Sequence, residues 1–206
     1  MNEYQYLAES VTFEVRRSKR VILSQHPQLT LIGLGRSAAA YHIKDTALVI
    51  KVYFPEFAGI SQEEAAIYRL LSGSDYYPRL HEGGNNYIVI DYISGSTLFD
   101  CLVDGQVIDP ACITEVDKAL AEASDRGLTP SDIHLRNILL TDKKEIKLID
   151  VARFRQKNVQ DSQWKDLKKA YLMYQKPYFP KKLPSYCLNQ IAFLYKISER
   201  YMMKLR

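Results

Sequence analysis

The chain has 206 residues, 47% of them hydrophobic and 25% charged, with a formal net charge of +4 at pH 7. That composition can bury a core and suits a single domain of two small lobes better than two independent domains. No apolar stretch reaches the roughly 20 residues of a membrane-spanning helix, the first residues carry no signal-peptide pattern, and the three cysteines (Cys101, Cys112, Cys187) are odd in number and far apart, which excludes a disulfide framework and a zinc site. A cytoplasmic protein with reduced thiols is expected. Neither internal repeats nor low-complexity tracts are present, and His26, His42, His81 and His134 form no ligand spacing.

Leu29 to Ala38 reads as a strand running into a glycine-containing turn (Gly33, Leu34, Gly35, Arg36, Ser37, Ala38), with Ala39 to Ile43 as the returning strand and Lys44-Asp45-Thr46 as the next turn. Glycines at 33 and 35 let backbone amides approach phosphate oxygens with no side chain in the way. A plain hairpin is the competing reading of this piece alone. Ala47 to Val52 is an apolar strand with one lysine, Lys51, near its end. Such a lysine either faces solvent on an edge strand or is held for an anion, and the preceding glycine turn favours the anion.

Ser61 to Leu71 has helical spacing, with Glu64 ahead of Ile67, Tyr68 and Leu71. Ser61-Gln62-Glu63-Glu64 also reads as a capping box, which would direct Glu64 to the backbone at the helix start. Arg79 to Glu82 and Tyr87 to Asp91 pair across a Gly83-Gly84-Asn85-Asn86 turn. Asp109 can cap a helix, Pro110 suits its first position, and Ile113, Val116 and Leu120 form its apolar stripe before a terminal Gly127.

Residues 130 to 150 carry the densest chemistry. Asp132 precedes Asn137 by five positions and Asp150 follows Asn137 by thirteen, with two apolar runs and a polar turn between the last two. That pattern is a short hairpin, whose open end brings Asn137 and Asp150 together. Two oxygen-bearing side chains there suit Mg²⁺, a hard cation commonly held by few protein groups plus phosphate oxygens. Further on, Trp164 to Tyr174 reads as a helix carrying Asp166. Residues 165 to 206 hold ten Lys or Arg against Asp166 and Glu199, a net +8 that leaves −4 for the rest. An anionic partner at this basic region is one reading. The favoured one is the solvated side of an amphipathic final helix whose apolar stripe is Leu188, Ile191, Leu194, Tyr195, Ile197, Tyr201 and Leu205.

The order of these features over residues 29 to 174 resembles the protein-kinase-like superfamily, most strongly from 130 to 150, where the pattern is Asp, four residues, Asn, then a hairpin ending in Asp. The resemblance implies an α+β, two-lobed fold: an antiparallel-sheet first lobe with hinge (1–93) and a reduced, mainly helical second lobe (94–206). It also implies ATP between the lobes. Residues 33–38 would cover its phosphates, Lys51 would contact the α and β groups, and Glu64 would pair with Lys51, Glu63 being the close second. Ile90 would guard the back of the pocket, with Asp91 and Ile93 in the hinge that binds adenine. Asn137 and Asp150 would hold Mg²⁺ or Mn²⁺, Asp132 would face the acceptor hydroxyl, and His134 would meet the transferred phosphate or bond nearby backbone. By the same resemblance Asp166 would brace the catalytic loop.

The chain also departs from ordinary protein kinases. Ala38 stands for the third glycine of the loop, Ala152 for the glycine of Asp-Phe-Gly, Pro130-Ser131 for the His-Arg before the catalytic Asp, and no Ala-Pro-Glu follows. Control by a phosphorylated loop paired to that arginine is therefore not expected. The layout is most similar to a minimal bacterial or archaeal-type serine/threonine kinase near the RIO-like and lipopolysaccharide-kinase-like branches. The acceptor, a protein or a small molecule, is left open, and a sugar kinase or a partner-binding pseudokinase are the alternatives.

Overall fold

The computed structural model describes residues 2–16, 19–156 and 163–204, the side chains of 19, 196 and 199–204 excepted. The chain opens with α1 (Glu3–Glu9) and a two-stranded ribbon, β1 (Thr12–Arg16) with β2 (Lys19–Ser24). Next come β3 (Leu29–Leu34), β4 (Ala38–Ile43), β5 (Leu48–Tyr53), α2 (Ala58–Leu70), β6 (Leu80–Gly83) and β7 (Tyr87–Asp91). The five strands form one antiparallel sheet in the order β3-β4-β5-β7-β6. After it lie β8 (Gly95–Thr97), α3 (Leu98–Asp104), α4 (Pro110–Asp125), β9 (Ile138–Thr141), β10 (Ile146–Leu148), α5 (Gln163–Tyr174) and α6 (Ser185–Lys204), with β10-β9-β8 as a small second sheet. This mixed α/β fold with antiparallel sheets is compatible with the expected two-lobed arrangement. No helix among the described residues is long and apolar enough to cross a membrane.

Both faces of the large sheet are covered, which explains the nearly unbroken apolar runs of β5 and β7. Ile50, Val52, Tyr87 and Val89 point to one face and pack with Leu7 and Ala8 of α1. Val49, Tyr53, Ile88 and Ile90 point to the other and pack with Ala65, Ile67 and Tyr68 of α2. The two-residue period of a strand places Lys51 between Val49 and Tyr53, on the α2 side. That second cluster continues through Leu98, Val116, Ile138, Leu148 and Phe154, so one core joins the sheet to the helical half.

Several anchors fix α2 and α5. Arg126, at the end of α4, donates to the carbonyls of Leu70 and Ser72 (both 2.8 Å), placing a cation where the C-terminal end of α2 leaves carbonyls unpaired. Asp109 caps α4 by accepting from the Ala111 amide (2.8 Å), and Gly127 takes a left-handed φ of 79° just past its end. Asp117 of α4 accepts from Trp164 Nε1 (2.7 Å) and Lys168 (2.9 Å), which holds α5 against α4.

Two expectations are corrected. Helix α2 begins at Ala58 rather than Ser61, and Ser61 is no cap: its hydroxyl is buried within reach of the carbonyls of Ala58 (2.7 Å) and Asn85 (2.8 Å). The apolar stripe of α6 is also not a buried one, because Leu188 is covered while Ile191 and Leu194 are 63% and 62% exposed. The Tyr195 hydroxyl donates to Asp166 (3.2 Å), which also pairs with Lys169 (2.9 Å). Leu205 and Arg206, and the side chains of Lys196, Glu199, Arg200, Tyr201 and Lys204, lie outside the described residues.

Candidate active site

The centre of the site is the Lys51 ammonium. It donates to both carboxylate oxygens of Glu64 (3.0 and 2.9 Å) and to Oδ1 of Asp150 (2.9 Å), joining β5, α2 and the end of the β9–β10 hairpin. Glu64 is fully buried, the Lys51 side chain is 14% exposed and that of Asp150 48%. Burial alone would make Lys51 give up its proton more readily, but the Asp150 and Glu64 carboxylates outweigh it and raise its pKa. The ammonium therefore stays charged at neutral pH. Burial raises the pKa of Glu64 despite Lys51, whereas the Lys51 charge holds Asp150 below the usual carboxylate range. A second donor completes the pocket around Glu64: the buried Tyr53 hydroxyl, two residues after Lys51 on the same strand face, donates to Oε2. The capping-box alternative for Glu64 is thus not the one adopted.

The turn from 33 to 38 joins β3 to β4 beside this group. The Gly35 amide donates to the Ala38 carbonyl (2.9 Å) and the Phe54 amide to the Ser37 carbonyl (2.9 Å), which ties the turn to the end of β5. Arg20 of β2 holds the Arg36 carbonyl (3.1 Å). The amides of Arg36 and Ser37 donate to no other described residue, leaving adjacent donors of the kind an anion-binding turn offers. Neither Gly33 nor Gly35 has positive φ, and a Cβ at Gly33 would meet only the Ala40 methyl at 3.9 Å. The fold itself does not require that glycine.

Ile90 is buried opposite Val49, and Asp91 ends the strand. The Asp91 carboxylate turns to β6, accepting from the Arg79 amide (2.9 Å) and facing His81 Nε2 (2.7 Å). Ile93 is half-buried and forms no backbone hydrogen bond with another described residue, so its peptide groups remain open in the linking segment before β8.

The loop from 130 to 137 is pinned from several sides. The Asn137 amide donates to the His134 carbonyl (2.8 Å), its side-chain Nδ2 to the Asp132 carbonyl (3.2 Å), and the Ile149 amide to the Asn137 carbonyl (2.9 Å). Asn137 is buried and its Nδ2 is used by the loop, which turns its amide oxygen the other way. The Asp132 carboxylate has Arg153 Nη1 3.3 Å from Oδ2 and His134 Nε2 3.9 Å from Oδ1. Positive φ also singles the site out. Of the four non-glycine residues with φ near 60° among the described residues, Asp45 and Lys144 sit in hairpin turns, but Asp132 and Asp150 (61° and 64°) are in this cluster. Such conformations cost of order 1–3 kcal/mol and persist where surrounding structure enforces them.

Among the described residues no group of three or more His, Cys, Asp or Glu could hold a metal. The donor set fits Mg²⁺ in the sparser form that relies on phosphate oxygens: one amide oxygen from Asn137 and a half-exposed carboxylate from Asp150. An open cavity of about 260 Å³ between α2 and β6, lined by Tyr68, Arg69, Arg79 and His81 among others, includes none of Lys51, Asp132, Asn137 or Asp150. Tyr53 and Arg153 are the contacts the sequence did not reveal; the only available hint was that Tyr53 shares a strand face with Lys51.

A strand lysine paired to a helix glutamate, set against an Asp–Asn loop and an Asp-ending hairpin, defines a kinase-like protein. No family model matches the chain. Over 193 residues, 92% of this chain and 89% of the relative, it is 44% identical to "Putative serine/threonine-protein kinase YrzF" of Bacillus subtilis (strain 168). It is 31% identical over 138 residues, 58% of this chain and 21% of the relative, to "Probable serine/threonine-protein kinase CA_C1728" of Clostridium acetobutylicum. The chain belongs to the kinase-like family of which the YrzF protein is a member.

Proposed function

We propose that the protein is an ATP- and Mg²⁺-dependent phosphotransferase, a serine/threonine protein kinase of minimal, atypical type whose first lobe is residues 1–93 and second lobe 94–206. The observation that carries this is the Lys51 ammonium held between Glu64 and Asp150 at 2.9 Å each. Nucleotide binding then draws on the unpaired amides of the 33–38 turn and on Lys51 for phosphate oxygens, and on Ile90, the Asp91 carbonyl and the peptide groups of Ile93 for the base. Asn137 and Asp150 are the residues that would hold the metal, which when bound neutralises developing phosphate charge. Asp132, kept in place by Arg153 and the Asn137 contact to its carbonyl, orients the acceptor hydroxyl and takes its proton late. His134 stands beside it, at the position to meet the transferred group. A small-molecule or sugar acceptor is the second reading, favoured by His134 beside Asp132.

Phosphoryl transfer depends mainly on positioning and charge stabilisation, whereas a positioned base contributes about 10²–10⁴-fold. Asp150→Ala should therefore abolish turnover of labelled ATP, and Asp132→Ala should leave a trace. Wild-type-like ATP consumption by both variants would refute the assignment. Supplying cell extract split into protein and small-metabolite fractions then separates the two readings by where the label goes.

A further inference from the structure

We propose that Arg153 is an anion receptor on the acceptor side of the site, selecting serine or threonine hydroxyls that lie in acidic segments. The inference rests on the phosphotransferase reading and adds the substrate class to it. Arg153 follows Asp150 by three residues, and its backbone is fastened to the catalytic loop. The buried Ser131 hydroxyl donates to its carbonyl (2.7 Å), and the Thr129 amide donates to the Phe154 carbonyl (2.6 Å). Phe154 is 1% exposed and packs edge-on against Tyr77. The root of the Arg153 side chain is therefore fixed, while the side chain as a whole is 35% exposed.

At 3.3 Å, the contact from Nη1 to Asp132 is longer than the roughly 2.7–2.9 Å of a strong charge-assisted hydrogen bond. A guanidinium carries five donors in a planar fork, so this one can take an incoming carboxylate in two-point fashion while staying beside Asp132. Two more exposed cations lie along these same segments. Arg136 is exposed and held by the Phe99 ring (3.4 Å) and Asn189 of α6 (3.0 Å), and Arg155 is exposed two residues beyond Arg153. Three cations spread along the two segments fit an extended acidic segment better than one small anion. Residues 165–206, with their net +8, have the same sign. A basic segment would meet repulsion at these points, which adds discrimination against the wrong acceptor.

The test uses fluorescein-labelled peptides of equal length with one central serine flanked by Glu, Gln or Lys. Binding is read by anisotropy without nucleotide, and phosphorylation with labelled ATP. The wild-type protein should bind the Glu peptide best, Arg153→Gln should lose that preference by about 10- to 100-fold, and Arg153→Glu should shift it to the Lys peptide. Gain of binding to the Lys peptide cannot come from misfolding. An unchanged peptide ranking in both variants, or no Glu preference in the wild type, overturns the proposal. A Glu preference that depends on Arg153 supports it even in a protein that transfers no phosphate, an outcome that would strike the phosphotransferase reading alone.

Discussion

Replacing Tyr53 by Phe removes one oxygen and nothing else, which makes it a clean probe of how Glu64 is held. The Tyr53 ring is 1% exposed and stays in place, so no cavity opens; what is lost is a hydrogen bond from the phenol to Oε2 of a fully buried carboxylate. Hydrogen bonds to charged groups contribute about 1.5–3 kcal/mol net. For a chain of this size that is a fall in Tm of about 3–12 °C, taking about 2–4 °C per kcal/mol. Tyr41 supplies the opposite sign in the cluster on the other face of the sheet: it is 0% exposed and its hydroxyl has no hydrogen-bond partner among the described residues. Removing that oxygen relieves an uncompensated desolvation cost, so Tyr41→Phe should be neutral or stabilising by up to about 1 kcal/mol. Urea unfolding at pH 7 reads both variants, with an unchanged slope required for the comparison. Equal losses in the two, or no loss in Tyr53→Phe, would show that the phenol does not support Glu64.

Lys51→Met leaves the Glu64 carboxylate buried without its cation and should cost about 3–5 kcal/mol, much of which Glu64→Gln added to it should restore; strictly additive losses in the double variant would contradict the pair. The pH dependence follows from Asp150, whose pKa is depressed chiefly by Lys51. Its contribution is complete above the unfolded carboxylate value near pH 4 and disappears as pH falls through its own lower value, so the stability gap between wild type and Asp150→Asn should be level from about pH 5 to 7 and close in acid. A gap that instead widened with acid would have the wrong sign. Gly95→Ala would set a Cβ 2.5 Å from the Leu140 carbonyl oxygen and 2.9 Å from the Thr141 backbone. Since β9 cannot yield as a side chain would, a cost of about 1–3 kcal/mol is expected in the same unfolding assay, and none would mean that β8 does not pack as described.

The sequence revealed elements whose signals are local. The hairpins at 29–43, 79–91 and 138–148 carry their own turns, and α4 carries Asp109, Pro110 and Gly127 at its ends. Helix α1 was not legible because seven residues are too short to be helical without tertiary support, and its burial of Leu7 and Ala8 on the sheet is long-range. Helix α3 is as short, and its local signals are confined to its ends, where Thr97 accepts from the Asp100 amide and Gly105 takes a left-handed φ of 80°. Helix α2 begins early because Ser61 is claimed by carbonyls of the β6–β7 turn, including Gly84 and Asn85, a competition that only the fold reveals. In the site, order along the chain pointed to Lys51, Glu64, Asn137 and Asp150, while Tyr53 and Arg153 matter through partners 11 and 21 positions away.

The most direct measurement is a calorimetric titration of the protein with ATP, with and without Mg²⁺, alongside Lys51→Met and Asp150→Asn. The account predicts saturable ATP binding that is strengthened by Mg²⁺, weakened in Lys51→Met, and stripped of its Mg²⁺ dependence in Asp150→Asn. Absence of ATP binding to the wild-type protein, or identical isotherms for all three, would contradict it.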